Sequence, residues 1–145
     1  MADGTGRTRR ILALVLGIPA AMLFLASISR PILGDAGDAV DPLLSATCHR
    51  LPSRSLDLPW GVSGLCARCT SFWFAMAAGS VLLLRPGLRP PFWSGLLLIM
   101  PLILDGLLQK YTAYESITLL RVLTGLFAGL GIPVLAMGSP GKAKP

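Results

Sequence analysis

Apolar residues in this chain run together in four long stretches separated by polar or Gly/Pro-bearing segments. The first is Ile11 to Ser29, "ILALVLGIPAAMLFLASIS", and the second Cys66 to Leu84, "CARCTSFWFAMAAGSVLLL". The third, Phe92 to Gln109, reads "FWSGLLLIMPLILDGLLQ", and the fourth, Ile117 to Met137, reads "ITLLRVLTGLFAGLGIPVLAM". A helix that crosses a bilayer needs about 20 mostly apolar residues, within a range of roughly 17 to 25. All four stretches meet that length, although the third is short and holds Pro101 and Asp105. The expected fold class is an all-α integral membrane protein with four transmembrane helices, at 11–29, 66–84, 92–109 and 117–137, in a single membrane domain 1–145. The first stretch follows "RTRR", as a signal peptide would, but it exceeds the roughly 7 to 15 residues of a signal core and lacks a small-x-small cleavage site. It is expected to be retained.

Composition points the same way. Hydrophobic residues make up 53% of the 145 and charged residues only 14%, and mean hydropathy is +0.68. A soluble domain carries roughly a quarter charged residues. The net charge of +6 and the pI near 9.9 invite a nucleic-acid reading, yet no basic stripe interleaved with aromatics is present, and nucleic acid is not an expected partner. The charges sort instead by side of the membrane. Arg7, Arg9 and Arg10 precede the first stretch, Arg85 and Arg89 separate the second from the third, and Lys142 and Lys144 close the chain. With four spans these all share one side, which the positive-inside rule makes cytoplasmic. Residues 1–10 and the tail 138–145 are then cytoplasmic and the loop 30–65 is extracytoplasmic, in a multi-pass protein of the cell (inner) membrane. The lipid bilayer is the expected partner; a second copy or a membrane partner stays open.

Within the outer loop, Asp41-Pro42 reads as an N-cap followed by proline in a first turn, predicting a short helix from Pro42 to about Arg50. The segment "LPSRSLDLPWGVSG" is expected to be irregular, with Trp60 as an interfacial anchor. "GSPGKAKP" is expected to be disordered. Gly125 and Gly129 on the fourth stretch, and Ala75 and Gly79 on the second, are small residues four apart that let helices approach closely.

This topology gathers the reactive groups at the outer end. Cys48 and His49 lie in the loop, while Cys66 and Cys69 open the second helix. Asp105 and Gln109, four apart on one helical face, lie near the outer end of the third. Arg121 sits at matching depth on the fourth and is the expected partner of Asp105, since a carboxylate in lipid is costly unless paired. Asp105, Gln109 and Arg121 would line a polar pocket or simply lock two helices together. Three chemistries fit the cysteines. Thiolates with an imidazole suit zinc or copper, giving a metal site of Cys48, His49, Cys66 and Cys69. A Cys-x-x-Cys at a helix N-terminus beside Arg68 also suits thiol-disulfide exchange with a quinone, although the second cysteine pair usual in such enzymes is missing. The third is a structural disulfide with one idle thiol, in a non-catalytic accessory subunit. Arg50, Arg54 and Arg68 are candidates for an anion or lipid headgroup. No serine-histidine-acid set, phosphate loop or paired catalytic carboxylates are present in the sequence.

The blocks "CHRLPSRS", "LCARCT", "PLILDGLLQ" and "ESITLLRVLTGLFAG", in that order, resemble the bacterial membrane family catalogued as domain of unknown function 2085. The resemblance covers about Cys48 to Gly129. It implies a small bacterial inner-membrane protein whose signature groups match Cys48, His49, Arg50, Pro52, Arg54 and Ser55, then Cys66, Arg68 and Cys69, then Asp105, Gly106, Gln109, Ser116 and Arg121. It implies no established activity. The chain departs from the family at Ser71, where glycine is usual, and at Thr118, where asparagine is usual; the second departure alters any pocket that relied on that amide.

Overall fold

The computed structural model describes residues 3–85, 87–112 and 114–138. Long helices form at each apolar stretch: α1 (Asp3–Ser29), α3 (Ala67–Leu82), α4 (Phe92–Tyr111) and α5 (Thr118–Met137). Between α1 and α3 lie a 3₁₀ turn (Gly34–Ala39), a short helix α2 (Asp41–Thr47), a second 3₁₀ turn (Pro52–Arg54) and two strands, β1 (Ser55–Leu58) and β2 (Gly61–Cys66). Among the described residues, three helices are long and apolar enough to cross a membrane: Gly6–Ser29 within α1, and the whole of α4 and α5. At 1.5 Å per residue the 16 residues of α3 extend about 24 Å, short of a hydrocarbon core of about 30 Å. The expected tail lies outside the described residues beyond Gly138.

The long helices pack in the order α1, α3, α5, α4, with α3 and α5 central. Small residues set that order. A Cβ placed on Gly129 would collide with the Phe72 carbonyl oxygen and come 2.9 Å from Ala75 Cβ, and one on Gly125 would collide with Ser71 Oγ and the Arg68 carbonyl oxygen. Gly79 on α3 sits against Leu130 and Pro133 in the same way. The backbones of α3 and α5 therefore touch, as the small residues four apart predict.

Burial is inverted relative to a water-soluble bundle. Ser71, Ser80, Asp105, Arg121 and Thr124 are buried between helices, while Leu14, Leu97 and Leu119 stand exposed on the outer faces. Water would penalise that surface and lipid would not. One end of the bundle is tied by Arg9, whose Nη2 donates to the Leu88 carbonyl at 2.9 Å, and by Gly138 packed on Phe92. The other end carries the α1–α3 connection.

That connection is more ordered than the sequence suggests. The segment expected to be irregular closes into an antiparallel hairpin, with Asp57 opposite Val62 and Leu58 opposite Gly61. Gly61 takes φ +130, a conformation that suits glycine and makes the two-residue turn possible. Trp60 donates from Nε1 to the Ile28 carbonyl at 2.9 Å, which pins the hairpin tip to the end of α1. Helix α2 begins where Asp41-Pro42 predicts, but Val40 is its N-cap, and the Asp41 carboxylate turns to two arginines instead. Arg30 holds both its oxygens, at 2.7 and 3.1 Å, and Arg50 Nη2 lies 2.8 Å from Oδ1. Arg30, and after it Arg50, hold the Asp41 carboxyl down to a pKa of about 2, and Asp41 in turn raises that of Arg30.

Candidate metal centre

Three separate pieces of chain deliver the cysteines: the C-terminal end of α2 (Cys48), the end of β2 (Cys66) and the first turn of α3 (Cys69). An apolar knot of Leu23, Leu44 and Leu65 fixes these pieces relative to one another, and Cys48 and Cys69 pack against it. Leu44 and Leu65 have no exposed surface, so α2 and β2 are both anchored against α1. Polar bonds lock the β2–α3 junction as well. The Leu65 N–H donates to Ser27 Oγ at 3.1 Å, Ser63 Oγ donates to the Leu65 carbonyl at 2.8 Å, and Ser27 and Thr70 hydroxyls lie 3.0 Å apart. Nothing in the local sequence around Ser27 signals this role.

The three Sγ atoms lie within 4.8 Å of one another, and all three cysteines are half-buried free thiols. Sulfurs bound to one zinc at about 2.3 Å in tetrahedral geometry sit about 3.8 Å apart, a spacing that small rotamer changes reach from here. The chain leaves Cys48 by way of Arg50 in a left-handed conformation, φ 52, which is uncommon for a residue with a Cβ. That turn points the Arg50 N–H at Cys48 Sγ, 3.5 Å away, and sends the guanidinium to the Gly64 carbonyl at 3.0 Å. Hydrogen bonds from Cys66 and Cys69 hold the Cys48 thiol pKa well below its ordinary value.

His49 does not join the gathered ligand atoms. Cys48 is extended (φ −155, ψ 146), and neighbours in extended chain point to opposite sides. The His49 side chain therefore stands exposed on the rim of a cavity of about 370 Å³ that the three cysteines help to line.

Beneath the thiols lies a polar cluster whose connections differ from the expected ones. Asp105 Oδ2 pairs closely with Arg68 Nη2, from α3, while Arg121 Nε donates to Ser116 Oγ at 3.0 Å. Gln109 Nε2 reaches Asp105 Oδ2 at 3.3 Å and makes a close contact with Ser116 Oγ. The expected Asp105–Arg121 pair rested on matching depth, and Arg68, two residues after Cys66 in the first turn of α3, stands nearer in the direction the sequence cannot report. Ser116, just ahead of α5, is the hub that joins Gln109, Arg121 and, at 3.4 Å, Arg68. The resemblance marks Ser116 as a signature group, but its position between a helix-end glutamine and a first-turn arginine does not show it as the hub. Arg68 Nε and Asp105 Oδ1 are buried without a hydrogen-bond partner among the described residues. Arg50, Arg68, Arg121 and Gln109 all line the cavity; Arg54 lines it too and reaches Glu115 at 3.4 Å.

An inverted bundle with apolar outer faces, three spanning-length helices and buried polar groups between them is a helical membrane protein. The chain belongs to the family described as "Predicted membrane protein (DUF2085)", whose model matches residues 48–135 and so takes in every cysteine and the whole polar cluster. An uncharacterized protein of Methanothermobacter thermautotrophicus is 33% identical over 91 residues, covering 61% of this chain and 82% of that protein. An uncharacterized protein of Methanocaldococcus jannaschii is 27% identical over 95 residues, covering 61% of this chain and 60% of that protein. Both organisms are archaea, so these relatives correct the bacterial restriction that the resemblance implied. No solved structure matches the chain.

Proposed function

We propose that this protein is a multi-pass cell-membrane protein that binds one transition-metal ion, zinc or copper, through Cys48, Cys66 and Cys69 at the outer membrane surface. The observation that carries this reading is the approach of three thiols, from three separate chain segments, to within 4.8 Å of one another. Three thiolates form a soft donor set that suits zinc or copper(I). A tetrahedral ion would keep a fourth position for water, a small ligand from the cavity, or His49 after a rim rearrangement. Handling or sensing of a transition metal is the corresponding role.

The orientation proposed is four spans with both termini cytoplasmic. Arg9 bonded to the carbonyl of Leu88 supports it, since the two basic segments then flank the same end of the bundle, opposite the cysteines. The α3 segment would span with Leu83 and Leu84 and with local thinning of the bilayer.

Elemental mass spectrometry with free-thiol counting, on protein purified in detergent without chelator, tests the metal. We expect about one zinc or copper per chain, lost in a Cys66→Ser/Cys69→Ser variant and released on acidification, because protons compete for the thiolates. No metal, with one disulfide and a single free thiol, would sink the proposal. Exchange of that disulfide with a quinone would mark the protein as a thiol-disulfide oxidoreductase, and an inert one as an accessory subunit.

A further inference from the structure

The cavity beside the cysteines is lined by Arg50, Arg54, Arg68 and Arg121, and no aspartate or glutamate lines it among the described residues. Carboxylates stand behind three of these arginines. Asp105 pairs with Arg68, Asp41 with Arg50 while also serving Arg30, and Glu115 with Arg54 at 3.4 Å. Glu115 is 77% exposed, so water screens its charge and it offsets little inside the cavity. Arg121 differs again. It is 7% exposed, its bonded partner is the neutral Ser116 hydroxyl, and no carboxylate lies in ion-pair range among the described residues. A guanidinium held this deep in a membrane bundle without a counter-charge is costly, and arginine is always protonated.

We infer that this cavity binds a phosphate group, with Arg121 at its floor and Arg54 at its rim as the principal ligands. Guanidinium forks match tetrahedral oxyanions with paired N–H donors. The first turn of α3, which carries Arg68 and Cys69 into the lining, adds the positive end of a 16-residue helix. A volume of about 370 Å³ admits a phosphate with its substituent. The group belongs either to a soluble phosphate or to a lipid headgroup. A divalent ion on three thiolates would contribute one net negative charge to the lining, which offsets one guanidinium and leaves the other to the anion. The inference stands whether or not the cysteines hold metal.

Isothermal titration calorimetry in an uncharged maltoside detergent tests it, on chelator-treated and on zinc-treated protein in parallel. Inorganic phosphate is one titrant, water-soluble dihexanoyl phosphatidylglycerol a second, and dihexanoyl phosphatidylcholine the zwitterionic control. Saturable binding of inorganic phosphate, weakened at least tenfold in Arg121→Gln, assigns a soluble phosphate. Saturable binding of the phosphatidylglycerol alone, weakened likewise, assigns a headgroup. Arg121→Lys should retain part of the affinity, and Arg54→Gln, at the rim, reports even if the Arg121 variants do not fold. Absence of saturable binding to either anion, in both preparations, overturns the inference, as does binding that neither Arg121→Gln nor Arg54→Gln weakens. Zinc content, read on the same samples, is scored separately, so failure of the metal site and failure of the anion site are told apart.

Discussion

Asp105→Asn is the substitution that most directly probes how the bundle is wired. It keeps the shape of the side chain and removes its charge, leaving the Arg68 guanidinium without its carboxylate. Removing one partner of a buried ion pair costs roughly 3 to 5 kcal/mol, because the remaining charge stays desolvated. The Asp105 side chain is 5% exposed and that of Arg68 22% exposed, so water recovers part of the loss on the arginine. We therefore expect about 3 kcal/mol, the lower end of that range. The assay is unfolding in mixed dodecyl maltoside and dodecyl sulfate micelles, followed by circular dichroism, for wild type, Asp105→Asn, Arg68→Met, Arg121→Met and the two double variants. Arg68→Met/Asp105→Asn should lie closer to wild type than the two single losses added together, since no unpaired charge of that pair is left. The coupling energy should be larger for Asp105 with Arg68 than for Asp105 with Arg121. A loss under about 0.5 kcal/mol for Asp105→Asn, or the larger coupling with Arg121, would refute the wiring described here.

Three further substitutions test packing and charge separately. Gly129→Ala inserts a methyl group against the Phe72 carbonyl and Ala75, forcing α3 and α5 apart at a cost of roughly 1 to 3 kcal/mol; Gly106→Ala, whose Cβ meets nothing within 4 Å, should be neutral or gain up to about 1 kcal/mol from helix propensity in the same assay. For the loop, the Asp41 pKa is lowered in the folded state to about 2, so its stabilising effect is complete above its unfolded value of about 4 and fades as pH falls through that window towards 2. Thermal melts between pH 5 and pH 2 should show Asp41→Asn losing less stability than wild type over that interval, and parallel pH profiles would contradict the role given to Arg30 and Arg50.

The long apolar runs determined, with no help from tertiary contacts, that helices form at 11–29, 92–109 and 117–137, because transfer of a segment into lipid depends on that segment's own side chains. Small residues four apart on the second and fourth runs likewise announced the close approach of α3 and α5, since backbone proximity requires side chains that small. The gathering of Cys48, Cys66 and Cys69 at one end of the bundle was legible because the loop that carries Cys48 joins the helix that Cys66 and Cys69 open, and rise per residue reports the depth of Asp105, Gln109 and Arg121 along their helices. Depth is all it reports. Which neighbour stands beside a residue at that depth depends on how the helices are rotated and ordered, and only packing settles that. Asp105 therefore meets Arg68 and not Arg121, although α4 packs on α5 and not on α3, because the rotation of the helices decides which side chains face one another, and Ser116 becomes a hub. The turn at Gly61 and the Trp60 bond to Ile28 made a hairpin of a segment whose composition reads as loop. The extended backbone at Cys48 turned His49 away from its neighbour's thiol, a choice of a single pair of dihedral angles that no residue count along the chain can encode.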